Sequence, residues 1–222
     1  LPDGAPSADP ARYASNTMPR SSLIRLVSWL LMGGAISLAV YAGSNAAYDA
    51  TTQTELSGAW DRTHHASTPP TATSNGAGAL GGAFQVQRPR LAVGQPLAKM
   101  RVPAVDWSGV VLEGSDDRVL SGGPGHLVGT AYPGEPDNVV VSNHNTYSMQ
   151  FAKLKTGDQI ILDSDYGSFT YRVTGFRVVS AGDRSVTAHT ARASLTFTTC
   201  YPLWAGAFAS QRYVIGADLV SR

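Results

Sequence analysis

"ASLTFTTCYPLWAGAFASQRYVIGADLV" spans residues 193–220 and holds the single cysteine of the 222-residue chain, Cys200. Two runs rich in β-branched and aromatic residues flank a Pro- and Gly-containing segment. That pattern predicts two strands joined by a loop of about eight residues. A return of this length pairs the strands antiparallel. The end of the first strand then faces the start of the second, so Cys200 and Arg212 are expected side by side at one rim. A guanidinium beside a sulfur favours the thiolate and can hold a carbonyl oxygen or an oxyanion. A lone cysteine makes no intramolecular disulfide; it is either an inert buried thiol or a reactive one.

The same texture extends upstream. Short apolar runs recur between turn signals at "KMRVPAV" (99–105), "GVVLEG" (109–114), "DNVVVSNHN" (137–145), "QIILDSD" (159–165) and "SFTYRVTGFRVVS" (168–180). Phe169, Tyr171 and Val173 alternate with polar residues, the period of a half-buried strand. Pro103 marks an edge or a kink. "DDRVLSGGPGHL" (116–127) reads as a helical turn closed by glycines, and "MQFAKLKTGD" (149–158) as a short helix ended by Gly157. Seven or eight strands with little helix predict an all-β, closed or nearly closed barrel over 96–222. The 23 glycines and 13 prolines agree with many turns. The net charge of +1 gives no field that would favour nucleic acid.

A thiolate that attacks an acyl group needs a proton carrier for the leaving amine, and histidine is the usual choice. His64 and His65 lie in a tract rich in small and polar residues and read as solvated. His126 lies in a Gly-rich turn and reads as a hydrogen-bonded structural residue. His189 lies in a loop before the Cys200 strand. His144 ends the "NVVVSN" strand, where a residue is rigidly held and still accessible, and is the best geometric candidate. Trp107 and Trp204 are candidates either to line a groove or to pack near the rim.

Over about 95–221 the chain resembles the sortases, in a style closest to the class D and proteobacterial types. "TFTTC" (196–200) matches the family's TLxTC motif with Phe197 for Leu. Asn143-His144-Asn145 stands where a Gly-His-Arg is usual, and Arg212 matches the arginine that opens the last strand. The loop "YPLWAGAFASQR" departs from a proline-rich family stretch. The resemblance implies a closed eight-stranded β-barrel with short helices. It also implies a cysteine transpeptidase that cleaves an LPXTG-type signal and passes the acyl group to an amine. Carried over, Cys200 is the nucleophile, His144 the proton carrier and Arg212 the oxyanion-stabilising residue. Thr198 and Thr199 would line the substrate groove. No metal or other cofactor is implied.

Residues 26–43, "LVSWLLMGGAISLAVYAG", carry no charge and predict a transmembrane helix over 23–44. Trp29 and Tyr41 lie toward its ends, as interfacial aromatics do. Arg12, Arg20 and Arg25 precede it, so an arm over 1–22 is expected to stay cytoplasmic and the rest to face outward, periplasmic or extracellular. Residues 45–95, rich in Ser, Thr, Pro, Gly and Ala, read as an extended linker. The expected partners are an LPXTG-type protein, an amine acceptor and membrane lipid. A second reading keeps the fold but makes the chain a structural subunit of a membrane complex. Its arm, helix and linker would then be the contacts, and Gly33, Gly34, Ala35 and Ser37 would permit close helix packing.

Overall fold

The computed structural model describes residues 20–64, 90–144 and 148–222. Residues 1–19 of the expected arm over 1–22, the linker residues 65–89 with His65, and residues 145–147 with Asn145 lie outside the described residues. Two compact units divide the chain, one up to residue 45 and one from residue 46 onward.

The first unit contributes the start of helix α1 (Arg20–His64). Within it Ser21–Tyr41 is long and apolar enough, by length and composition, to cross a membrane. Its apolar side chains, among them Ile24, Trp29, Leu30, Leu31 and Leu38, are exposed. A stretch that is hydrophobic all round suits a lipid environment better than water.

The second unit is built on eight strands: β1 (Pro96–Val102), β2 (Trp107–Glu113), β3 (Gly125–His126), β4 (Asn138–Asn143), β5 (Gln159–Ser164), β6 (Gly167–Ser180), β7 (Ser194–Tyr201) and β8 (Gln211–Ser221). They close in the order β1-β2-β3-β4-β7-β8-β6-β5, with β5 returning to β1. Closure removes the free edges that an open sheet would expose. The pairs β2–β3 and β4–β7 are parallel and the others antiparallel. Helix α2 (Asp117–Gly122) is capped by Asp116, whose side chain accepts from the Val119 N–H. Pro103 opens a 3₁₀ turn directly after β1, so the expected kink falls at the strand end.

Period-two alternation fills the barrel. Val139 and Val141 of β4, Leu195 and Phe197 of β7, and Phe169, Tyr171 and Val173 of β6 all enter one core. Phe151, from the 3₁₀ turn Met149–Lys153, packs against Phe197 at 4.8 Å and edge-on to Trp107 at 5.2 Å. Trp107 is therefore a packing residue. Tyr171 is fully buried, and its hydroxyl accepts from the Gly134 N–H at 2.9 Å. Gly134 has φ +86°, and a Cβ there would lie 2.1 Å from Phe169, so only glycine allows this approach.

The expected extended linker over 45–95 needs correction, because residues 45–64 continue α1. Gln53, Leu56 and Trp60 recur at helical spacing and share one face. Leu56 and Trp60 pack with Val110, Leu112 and Val119 in a second apolar cluster outside the barrel core. Gln53 is tied to the backbone of β2 and the end of α2. Its Oε1 accepts from Val110 N–H at 2.8 Å, and its Nε2 donates to Gly122 O at 2.5 Å. A Cβ on Gly123 would collide with that amide at 1.9 Å, which keeps the seat open for Gln53. Asp61 accepts from Lys99 Nζ at 2.6 Å, and His64 Nε2 lies 2.5 Å from Asp165 Oδ1. Burial of this stripe outweighs the tether-like composition of the segment. His64 thus belongs to a docked helix end and not to a solvated tether.

Candidate active site

Strands β4, β7 and β8 lie side by side, and their register assembles the site. In the antiparallel β7–β8 ladder Cys200 is the Cα partner of Arg212. In the parallel β4–β7 ladder Asn143 is the partner of Thr199. One residue further along each strand are His144 and Cys200. Partners in a ladder share a face, and successive residues alternate. Phe197 and Thr199 face the barrel interior with Val141 and Asn143, so Thr198 and Cys200 face outward with Ser142, and His144 follows directly on the end of β4. Across the sheet the order is the end of β4, which leads into His144, then Cys200 on β7 and Arg212 on β8.

Each group is held and still reachable. Cys200 is a free thiol of intermediate exposure, as are the flanking His144 and Arg212. Ser148 Oγ donates to the His144 carbonyl at 3.0 Å. Arg212 Nη1 donates to its neighbour's carbonyl, Gln211 O, at 3.0 Å. The β7–β8 loop carries Trp204 and Phe208, 80% and 93% exposed, at the same rim.

The two threonines separate. Thr198 shares the outer face with Cys200, whereas Thr199 is 1% exposed and points into the barrel beside Asn143. Of the expected groove pair, only Thr198 stands on the groove side. Asn143 Oδ1 and Nδ2, Thr198 Oγ1 and Thr199 Oγ1 are all buried without a hydrogen-bond partner among the described residues. Asn143 and Thr199 meet as ladder partners inside the barrel, whereas Thr198 lies on the opposite face of the same strand. In the sequence, Asn143 stands out only as a departure from a motif. Its inward burial follows from the β4–β7 ladder, a contact between strands more than fifty residues apart that carries no local signal.

Among the described residues, the remaining histidines are structural or paired. His126 is fully buried, with Nδ1 2.9 Å from Glu113 Oε2 and Nε2 2.9 Å from Ala131 O. His189 is exposed, with Nδ1 2.6 Å from Asp137 Oδ2. The hydrogen bond to Asp137 holds the His189 imidazolium above the ordinary histidine range.

The model of the sortase domain matches residues 100–220. Sortase D of Bacillus subtilis (strain 168) is 33% identical over 124 residues, which cover 55% of this chain and 63% of that protein. The chain thus spans somewhat less than two thirds of that relative. Among solved structures, a Clostridium perfringens sortase D5 transpeptidase superposes with a TM-score of 0.53 at 26% identity, over 59% of this chain and 82% of the other. Sortase E of Streptomyces avermitilis superposes with a TM-score of 0.53 at 32% identity, over 59% of this chain and 91% of the other.

Proposed function

The chain belongs to the sortase family, and from that premise we propose that it is a membrane-anchored cysteine transpeptidase acting on an LPXTG-type sorting signal. The observation that supports this reading is the Cys200–Arg212 ladder pair, with His144 following directly on the neighbouring strand β4. The Cys200 thiolate attacks the scissile carbonyl carbon. Arg212 stabilises the negative charge that develops on its oxygen. Collapse of the tetrahedral intermediate breaks the C–N bond, and His144 gives its proton to the leaving amine. A thioester to Cys200 remains. An incoming amine then attacks it, loses a proton to His144 and releases the thiolate, which restores the enzyme. Thr198, on the same outer face, contacts the bound peptide. Ser21–Tyr41 anchors the enzyme, with the N-terminus cytoplasmic and the barrel outside.

The test is cleavage of a fluorescence-quenched sorting-signal peptide with an amine acceptor present. Release of the leaving fragment and formation of the acyl–amine product are expected, and both vanish in Cys200→Ala. Product formation by that variant at the parent rate would overturn the reading.

A further inference from the structure

Among the described residues of the second unit, the large apolar side chains left exposed are Val93, Val128, Met149, Val178, Trp204 and Phe208. Val93 precedes β1, beside the end of β2, where the Gly94 N–H donates to Glu113 O. Val128 follows β3. The other four share the barrel end that carries Cys200. Met149 lies in the turn after β4, and Val178 lies across from Tyr213, near the start of β8. Trp204 and Phe208 ride on the loop between the Cys200 strand and the Arg212 strand. An apolar patch gathered at one end of a molecule marks a surface that meets a partner.

The docked part of α1 shows from which side the chain arrives. Strand β2 begins at Trp107, which packs edge-on against Phe151 of the turn after β4, so β2 starts at the active end. Gln53 meets β2 at Val110. His64, at the other end of the docked stretch, meets Asp165 in the turn between β5 and β6. From that turn β6 runs to Ser180, the partner of Gln211 at the active rim, so Asp165 marks the opposite end of the barrel. Between Gln53 and His64 the helix therefore descends away from the active rim, and the residues before Gln53 lead toward it. Residues 42–52 alone separate Gln53 from the apolar stretch Ser21–Tyr41. Even fully extended they span no more than about 40 Å.

Trp and Phe side chains favour the boundary between headgroups and acyl chains. The charged groups at this end are mixed in sign: Lys153, Lys155 and Arg212 together with Asp106, Asp158 and Asp183. No excess of either sign selects a charged surface, so the attraction is apolar.

We propose that the β7–β8 loop docks the active rim onto the lipid surface that holds the apolar segment, with Trp204 and Phe208 seated at the headgroup level. Docking presents Cys200 at the membrane boundary, where it meets substrates held at that surface. This rests on the membrane-anchored reading above.

The test places one environment-sensitive fluorophore beside the two rings. The full chain carries Cys200→Ala and Ser210→Cys, so that the label has a single thiol, and is assembled in nanodiscs of phosphatidylcholine. Lipid spin-labelled near the headgroup should quench this fluorophore several-fold more than the same label at Val93→Cys, and aqueous iodide should show the reverse order. Raising salt from about 0.1 M to about 1 M should leave the lipid quenching unchanged. Trp204→Ser with Phe208→Ser should lower the docked-to-undocked ratio at least about tenfold. Quenching that survives this double substitution overturns the docking. So does shielding from iodide without lipid quenching, which means that the loop folds onto the protein or onto a second copy. Co-migration of the chain with the discs reports the anchor separately; a chain that co-migrates while its 210 label stays in water overturns the docking alone.

Discussion

Cys200 and Arg212 face each other across the antiparallel β7–β8 ladder, close to where the loop 202–210 joins the two strands. A guanidinium held by backbone register is already in place when charge develops on the substrate, so little reorganisation opposes it. Arg212→Ala should lower kcat/KM by about 10²–10³. Arg212→Lys should recover only part of the loss, because a point charge lacks the planar fork. Peptide-cleavage kinetics checks both; an Arg212→Ala variant within twofold of the parent (about 0.4 kcal/mol) would remove Arg212 from the mechanism.

His144 stands one residue beyond the β4–β7 ladder, level with Cys200. His144→Gln keeps a polar side chain but cannot carry a proton. Turnover should fall by about 10²–10⁴, while alkylation of Cys200 by iodoacetamide persists. Loss of thiol labelling together with turnover would instead mean that the substitution disturbs the rim.

Thr199 and Asn143 are ladder partners whose buried polar atoms lack partners. Replacing an orphan hydroxyl by a methyl group removes a desolvated polar atom. Thr199→Val should leave stability unchanged or raise it by up to about 1 kcal/mol, read by urea denaturation. A loss of about 2 kcal/mol or more would show that a buried water bridges Thr199 and Asn143.

Trp60 seats α1 residues 46–64 on β2 and α2. Trp60→Ala removes a large buried ring and should cost about 3 kcal/mol. The accompanying observation is faster amide exchange over residues 51–64, with the barrel strands still protected.

His64 gives that seat a pH dependence. Burial disfavours its charge, but the hydrogen bonds to Asp165 and the Trp60 carbonyl, with the charges of Asp165 and Asp61, raise its pKa above the ordinary value. A raised folded-state pKa means that the charged form favours docking. The stabilisation is complete below the ordinary imidazole value and is lost as pH rises through the raised one. NMR titration of the His64 ring should show the upward shift, and Asp165→Asn should reduce it.

Most of the barrel is legible in the chain. The runs around Tyr171, Val141 and Phe197 alternate at period two because each strand has one face in the core, and that constraint acts residue by residue. The pairing of Cys200 with Arg212 is legible for the same reason: a short loop leaves the strands one simple way to return. The docked part of α1 was not, since Gln53, Leu56 and Trp60 form a sparse stripe among Ser, Thr and Ala. Their value depends on a seat made by Val110, Val119 and Gly123, more than forty residues away.

The sequence by itself determined the barrel class, the apolar segment near the N-terminus and the pairing of the one thiol, Cys200, with Arg212. Local periodicity, loop length and hydropathy suffice for each of these. Only the tertiary structure decided which of Thr198 and Thr199 shares the outer face with Cys200, and that Asn143 is buried beside Thr199. Each depends on the parallel register of β4 against β7. Strands far apart in sequence take that register from the closed barrel as a whole, and no short stretch of either strand encodes it.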